Sequence, residues 1–230
     1  MRGLTFHGDQ DVRVEDVPDA SIEKPTDAVV KVTMAGICGS DLHALQMQGS
    51  GASLAAPSCV MGHEFCCEVI DYGPGTEKKV KQGTRVCAMP VMLEADGPRG
   101  MGYSNAYVGG YAEQMLLAAP LLLEVPNGVS TEHAALTEPL AVGVHAVEKG
   151  ALKGDETPLV VGCGPVGLAV IAALRLKGIR PIVAADYSPK RRELAIKMGA
   201  DIVVDPAGED PYAKLAPGKR AALFECVGVP

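Results

Sequence analysis

The sequence predicts an α/β plus β protein: a barrel-like β domain with a helical close over residues 1–150, then the opening strands of a doubly wound parallel sheet over 151–230. Three observations predict this. Up to about residue 130, short β-branched or alternating runs are broken by Gly and Pro; after about 150, strand-like and helix-like segments alternate; and a glycine-rich turn falls between the first such strand and helix.

In the first part, AVVKVTMAGI (28–37), FCCEVIDYG (65–73), TRVCAMPVML (84–93) and YAEQMLLA (111–118) read as strands, punctuated by Pro57, by GPG at 73–75 and by PNG at 126–128. Residues 88–110, with scattered Met and Gly, read as a long surface loop bordering a pocket. Ser130 is placed to cap a helix through TEHAALTE (131–138), which Pro139 should interrupt before LAVGVHAVEKG (140–150) resumes a helical pattern. The second part reads as strand TPLVVG (157–162), helix PVGLAVIAALRLKG (165–178), strand RPIVAAD (180–186), helix SPKRRELAIKMG (188–199), strand DIVVD (201–205) and strand RAALFECVG (220–228). Strands and helices alternating at this length make βαβ units.

Composition narrows the function classes. Of the 230 residues, 47% are hydrophobic and 21% charged, with a formal net charge of -7 that argues against nucleic-acid and anionic-membrane partners. The N-terminus is neither a signal peptide nor a transit segment, so a cytoplasmic protein is expected. Seven cysteines without a C-x-x-C spacing fit reduced thiols, and adjacent Cys66 and Cys67 should face opposite sides of a strand.

In LVVGCGPVG, Gly162, Gly164 and Gly167 follow an apolar strand and, with Pro165 and Val166, open a helix. The first Gly permits a tight turn, the second lets a pyrophosphate approach the backbone, the third lets helix and strand pack closely, and the helix N-terminus offers N–H groups to an anion. Asp186 ends the next strand, where a carboxylate accepts hydrogen bonds from ribose hydroxyls and repels a 2′-phosphate, favouring NAD over NADP. Arg191 either packs beside the adenosine or belongs with Lys190 and Arg192 to a solvated helix face.

The stretch MAGICGSDLH (34–43) gathers Cys38, Ser40, Asp41 and His43, a cluster that fits a metal site, a nucleophile with its base, or a polar turn. VMGHEFCCEVI (60–70) adds His63 and Glu64, too distant from Cys38 for a helical or knuckle-type metal motif.

Taken with the glycine-rich turn, GICGSDLH (36–43), GHE (62–64) and TEPLAVGVHA (137–146) resemble the zinc-dependent medium-chain alcohol dehydrogenases, in wording nearest the branch of sorbitol, butanediol and threonine dehydrogenases. The resemblance runs through essentially the whole chain. It implies a GroES-like catalytic domain over 1–150 and the first part of an NAD-binding Rossmann domain over 151–230. It also implies one catalytic zinc on the Cys38 thiolate and the His63 imidazole, the third ligand being either Glu138, turned inward by Pro139, or Glu64. Asp41 would orient His63, and Ser40 and His43 would relay the proton of a small alcohol or polyol as hydride passes to NAD. The cysteine quartet of the family's structural zinc is not expected, since no cysteine lies between Cys87 and Cys163. A threonine- or formaldehyde-type zinc dehydrogenase, or a non-catalytic nucleotide-binding remnant, is the alternative. Family members continue beyond a fourth parallel strand and form dimers or tetramers. The expectation is therefore of a C-terminally incomplete chain that keeps its zinc, binds NAD weakly, aggregates and is nearly inactive, against a soluble, active homo-oligomer at full length.

Overall fold

Residues 1–46 and 55–228 are described by a computed structural model, and they form two compact units, Met1–Glu138 and Pro139–Pro230. This boundary falls earlier than 150, inside a helix. The first unit is antiparallel. Strands β1 (Arg2–Gly8), β2 (Asp11–Asp16) and the short β4 (Cys59–Val60), which follows β3 (Asp27–Ala35) and helix α1 (Gly39–Gln46), form a sheet of order β2-β1-β4. A larger sheet takes β5 (Phe65–Tyr72), β6 (Arg85–Ala88) and, beyond the hairpin β7 (Val91–Glu94) and β8 (Gly97–Gly100), β9 (Gln114–Ala118) and β10 (Leu122–Glu124), in the order β10-β6-β5-β3-β9.

Alternation along these strands builds the core: Val30, Val69, Val86, Met115 and Leu117 are sealed together. Cys66 and Cys67 sit in separate clusters on opposite faces of β5, and all seven cysteines are free thiols.

The expected loop at 88–110 is instead partly a hairpin anchored in the core. Met92 and Met101 are each 1% exposed, and the Glu94 carboxylate is held by the Lys24 ammonium, 2.5 Å away, and by the Tyr107 hydroxyl. Gly and Met residues obscure period-2 alternation, because flexible Met side chains fill a core without β-branching. The expectation of a bordering pocket holds: a cavity of about 380 Å³ is lined by Ser104, Asn105 and Tyr107 among others.

The helical close breaks earlier than expected. Ser130 does cap α2 (Thr131–Ala134), its hydroxyl accepting the His133 N–H, but the helix ends at Ala135 and Leu136 rather than at Pro139. Helix α3 (Thr137–Gly150) then starts with Pro139 inside its first turn, where a missing N–H costs no hydrogen bond. Glu138 is therefore a first-turn helical residue, not one held off a helix by Pro139.

The second unit is a parallel sheet. Strand β11 (Glu156–Val161) leads into α4 (Pro165–Leu176), β12 (Val183–Ala185) into α5 (Pro189–Met198), and β13 (Ile202–Val204) precedes β14 (Arg220–Glu225), in the spatial order β13-β12-β11-β14. Leu159 pairs with Val183 on one side and Leu223 on the other. The chain thus reverses its direction of winding at β11, the switch point outside whose carboxyl end ligands bind in open α/β sheets. No helix among the described residues is long and apolar enough to cross a membrane.

Candidate metal centre and nucleotide turn

Antiparallel pairing of β3 and β5 brings two distant motifs together. Ala35 lies opposite Phe65, and the Gly36 N–H donates to the Glu64 carbonyl at 2.8 Å, so the residues leaving β3 and those entering β5 share one sheet end. Cys38 follows Ala35, and His63 and Glu64 precede Phe65. Their ligand atoms all lie within 4.8 Å of one another, the group of three metal-competent side chains found among the described residues.

His63 and Glu64 are buried and Cys38 half-buried. A hydrogen bond from His63 holds the Cys38 thiol below its ordinary pKa, against the opposing effect of burial. Burial works against the imidazolium, but the Cys38 sulfur and the Asp41 and Glu138 carboxylates together keep His63 above the usual histidine value. Burial pushes both Glu64 and Glu138 up. These acids outnumber the one imidazole in a poorly hydrated place, an imbalance that a divalent cation relieves.

A thiolate, an imidazole and a carboxylate are the donor set of a three-ligand zinc site. Donors bound to a common tetrahedral zinc lie roughly 3.5 Å apart, so the spacing here needs a small closure. Glu138 acts electrostatically on His63 but lies outside the group, which takes Glu64 as its carboxylate.

Asp41, expected to orient His63, also holds the loop. Its Oδ2 accepts the Cys38 N–H at 2.9 Å and the Tyr111 hydroxyl at 2.6 Å. Its Oδ1 stands 3.7 Å from His63 Nδ1, buried and without a hydrogen-bond partner. The nitrogen is contacted by Tyr103, whose hydroxyl is 3.1 Å from it and 2.6 Å from Ser40 Oγ. His43 is exposed on α1.

Tyr103 and Tyr111 were not among the expected site residues. Both arrive on the segment after β8, which wraps the His63 turn: the Gly110 and Tyr111 N–H groups donate to the Gly62 and Met61 carbonyls. Gly62 has φ +98, and a Cβ there would stand 2.7 Å from the Tyr111 ring. The available signal was three tyrosines at 103, 107 and 111 in a chain with 4% aromatics. Beside the cluster, a cavity of about 370 Å³ is walled by Ile37, Leu42, Leu45 and Met61 and reaches Asp41 and Tyr111.

In the second unit, Gly162 turns the chain out of β11 with φ +89, and a Cβ on Gly167 would collide with the Gly162 carbonyl oxygen. A Cβ on Gly164 would meet nothing within 4 Å, and no side chain caps the first turn of α4, which Pro165, Val166 and Gly167 begin. Bare backbone and uncapped N–H groups fit the pyrophosphate of a dinucleotide. Asp186 is buried, its two oxygens accepting the Cys163 and Ser188 N–H groups at 2.8 Å each. A carboxylate has about four acceptor sites, so capacity remains for ribose hydroxyls. Arg191 lies 3.7 Å from the same carboxylate with its side chain mostly exposed. Burial, with Asp186 nearby, pushes the Cys163 thiol up to about 11, so the cysteine of the turn is not a nucleophile.

A sulfur, nitrogen and oxygen donor set on antiparallel sheets, followed by a parallel sheet with a bare glycine turn, defines a metal- and dinucleotide-dependent class of oxidoreductase. Residues 24–127 match the alcohol dehydrogenase GroES-like domain and residues 165–230 the zinc-binding dehydrogenase family. (R,R)-butanediol dehydrogenase of Bacillus subtilis (strain 168) is 35% identical over all of this chain and 71% of its own length; sorbitol dehydrogenase of Rattus norvegicus is 30% identical over 98% of this chain and 68% of its own. Among solved structures, 2R,3R-butanediol dehydrogenase from Bacillus subtilis superposes with a TM-score of 0.78 at 34% identity, over 91% of this chain and 64% of that one. Acetophenone reductase from Geotrichum candidum NBRC 4597, in complex with NAD, gives 0.78 at 27% identity, over 88% and 62%. The chain belongs to the zinc-containing medium-chain alcohol dehydrogenase family, whose members are nicotinamide-dependent oxidoreductases.

Proposed function

We propose that this protein oxidises a small alcohol or polyol with NAD, using a zinc held by Cys38, His63 and Glu64, with Glu138 as an outer carboxylate. The observation that carries the reading is the convergence of those three donors within 4.8 Å. Zinc and NAD, when bound, would supply Lewis acidity toward the alcohol oxygen and a hydride acceptor.

The protein's own residues do the rest. Cys38 and His63 hold the metal, and Asp41 fixes the Cys38 backbone that presents the thiolate. Ser40 receives the alcohol proton, and His43, three residues on along α1 and exposed, passes it to solvent. Gly162, Gly164, Pro165, Val166 and Gly167 cradle the pyrophosphate, with Asp186 and Arg191 at the adenosine end. Butanediol and sorbitol oxidation by the relatives supports a vicinal diol or polyol as substrate. Alcohol-dependent formation of reduced nicotinamide, abolished by a zinc chelator and restored by zinc, is the expected result; turnover that survives complete metal removal would refute it. The acidic surface further supports a cytoplasmic small-molecule enzyme, and the family a homo-oligomer, which a sedimentation result of monomer alone would contradict.

The cofactor preference follows from Asp186. NAD is expected to bind at least about tenfold more tightly than NADP, because a buried carboxylate repels a 2′-phosphate. Asp186→Asn keeps one acceptor for the Cys163 or Ser188 N–H while removing the charge, and should narrow that gap. Equal affinities of the unsubstituted protein for the two nucleotides, by calorimetric titration, would exclude this role.

A further inference from the structure

The Tyr103 hydroxyl touches two groups at once, Ser40 Oγ at 2.6 Å and His63 Nδ1 at 3.1 Å, and its ring lies against the imidazole with centroids 5.2 Å apart at 40°. Asp41 Oδ1 faces the same nitrogen from 3.7 Å, an ion-pair distance beyond hydrogen-bond reach. The tyrosine therefore takes Nδ1, and Nε2 is the nitrogen left for a metal.

A phenol has one hydrogen to give, so the direction of the chain Ser40–Tyr103–His63 depends on where the ring proton sits. With Nδ1 bare, Tyr103 donates to it and accepts from Ser40. With Nε2 held by a metal, the neutral ring keeps its proton on Nδ1 and donates it to the Tyr103 oxygen. The Tyr103 hydrogen then turns to Ser40 Oγ, and the Ser40 hydroxyl hydrogen turns to the Cys38 sulfur, its other neighbour.

We propose that Tyr103 is a positioning residue: it holds the His63 imidazole so that Nε2 meets the metal. The inference rests on the metal site proposed above. It gives the segment after β8 a function, since that segment delivers the hydroxyl that hydrogen-bonds the histidine, while the Asp41 carboxylate beside it acts at ion-pair distance.

The test loads the protein with cobalt(II) and follows loss of its visible bands to a chelator. Tyr103→Phe keeps the ring and removes the hydroxyl. Cobalt loss should become about tenfold faster, the lower end of what removing an outer-shell partner of a metal-bound histidine costs. Tyr107→Phe, which removes a hydroxyl of the same segment that contacts Lys24 and Glu94 rather than His63, should change the rate less than about twofold. Equal rates for Tyr103→Phe and the unsubstituted protein, with cobalt bands present in both, would overturn the inference while leaving the metal site standing; absence of bands in the unsubstituted protein would overturn both. Ring-nitrogen NMR shifts of His63 in the unsubstituted zinc-loaded protein give a second reading that needs no variant. Nδ1 should carry the proton, and metal on Nδ1 would contradict the proposal.

Discussion

Replacing Cys38 with serine should strip the metal while leaving the fold. Structural zinc binds with about 10–16 kcal/mol shared among four ligands, so one ligand is worth about 2.5–4 kcal/mol, roughly a hundredfold to a thousandfold in affinity. Serine offers a neutral hydroxyl in place of a thiolate that His63 favours. Cys38 is only half-buried, and the hydrogen bond from its backbone N–H to Asp41 does not involve the sulfur. The expected outcome is therefore a Cys38→Ser protein with an unfolding transition close to that of the metal-free parent and a zinc affinity, by chelator competition, lower by at least a hundredfold. Unchanged affinity would place the metal elsewhere.

A second large effect is expected in the glycine turn, where two neighbouring glycines should fail in different ways. Gly167→Ala drives a methyl group into the Gly162 carbonyl oxygen, and both partners are backbone, so neither can rotate away. Overpacking of this kind costs about 3 kcal/mol or more, with loss of nucleotide binding as the turn is displaced. Gly164→Ala adds its methyl to open space at a φ of -74, which alanine adopts without strain. The fold should then lose at most about 1 kcal/mol from the poorer cap, while NAD binding falls because the methyl occupies the approach to the pyrophosphate. Urea melts and NAD titrations of the two variants distinguish these outcomes. Equal stability losses would mean that the turn is not built as described.

The parallel unit was the more legible of the two in sequence, because each element carries its own local signal. Apolar strands, the capped helix start at Ser188 and the Gly199 close at φ +116 are read within a few residues. The antiparallel unit was less legible at two places. Residues 88–110 hold a hairpin whose core contacts come from Met92 and Met101, and its anchor, Lys24, is remote in sequence. The helix break sits at Ala135 and Leu136 because Pro139 is harmless in a first turn, a distinction that depends on where the helix starts.

The same contrast runs through the site. Cys38, His63 and Glu64 stand in recognisable motifs, but that Glu64 rather than Glu138 lies within 4.8 Å of both the sulfur and the imidazole depends on packing between segments remote in sequence, which residue types do not reveal. Asp41 was expected to orient His63; one of its oxygens does face the ring at 3.7 Å, but that the other holds the Cys38 N–H and Tyr111 has no local signature. Tyr103 had no motif at all. Its place beside His63 follows from backbone hydrogen bonds between the 109–111 stretch and the 60–62 stretch, long-range contacts with no local signature.

X-ray absorption at the zinc K-edge reads the coordination sphere itself. The account predicts one sulfur at about 2.3 Å with nitrogen and oxygen neighbours at about 2.0–2.2 Å, and loss of the sulfur contribution in Cys38→Ser. A four-sulfur sphere, a sphere without sulfur in the unsubstituted protein, or protein that takes up no zinc would contradict it.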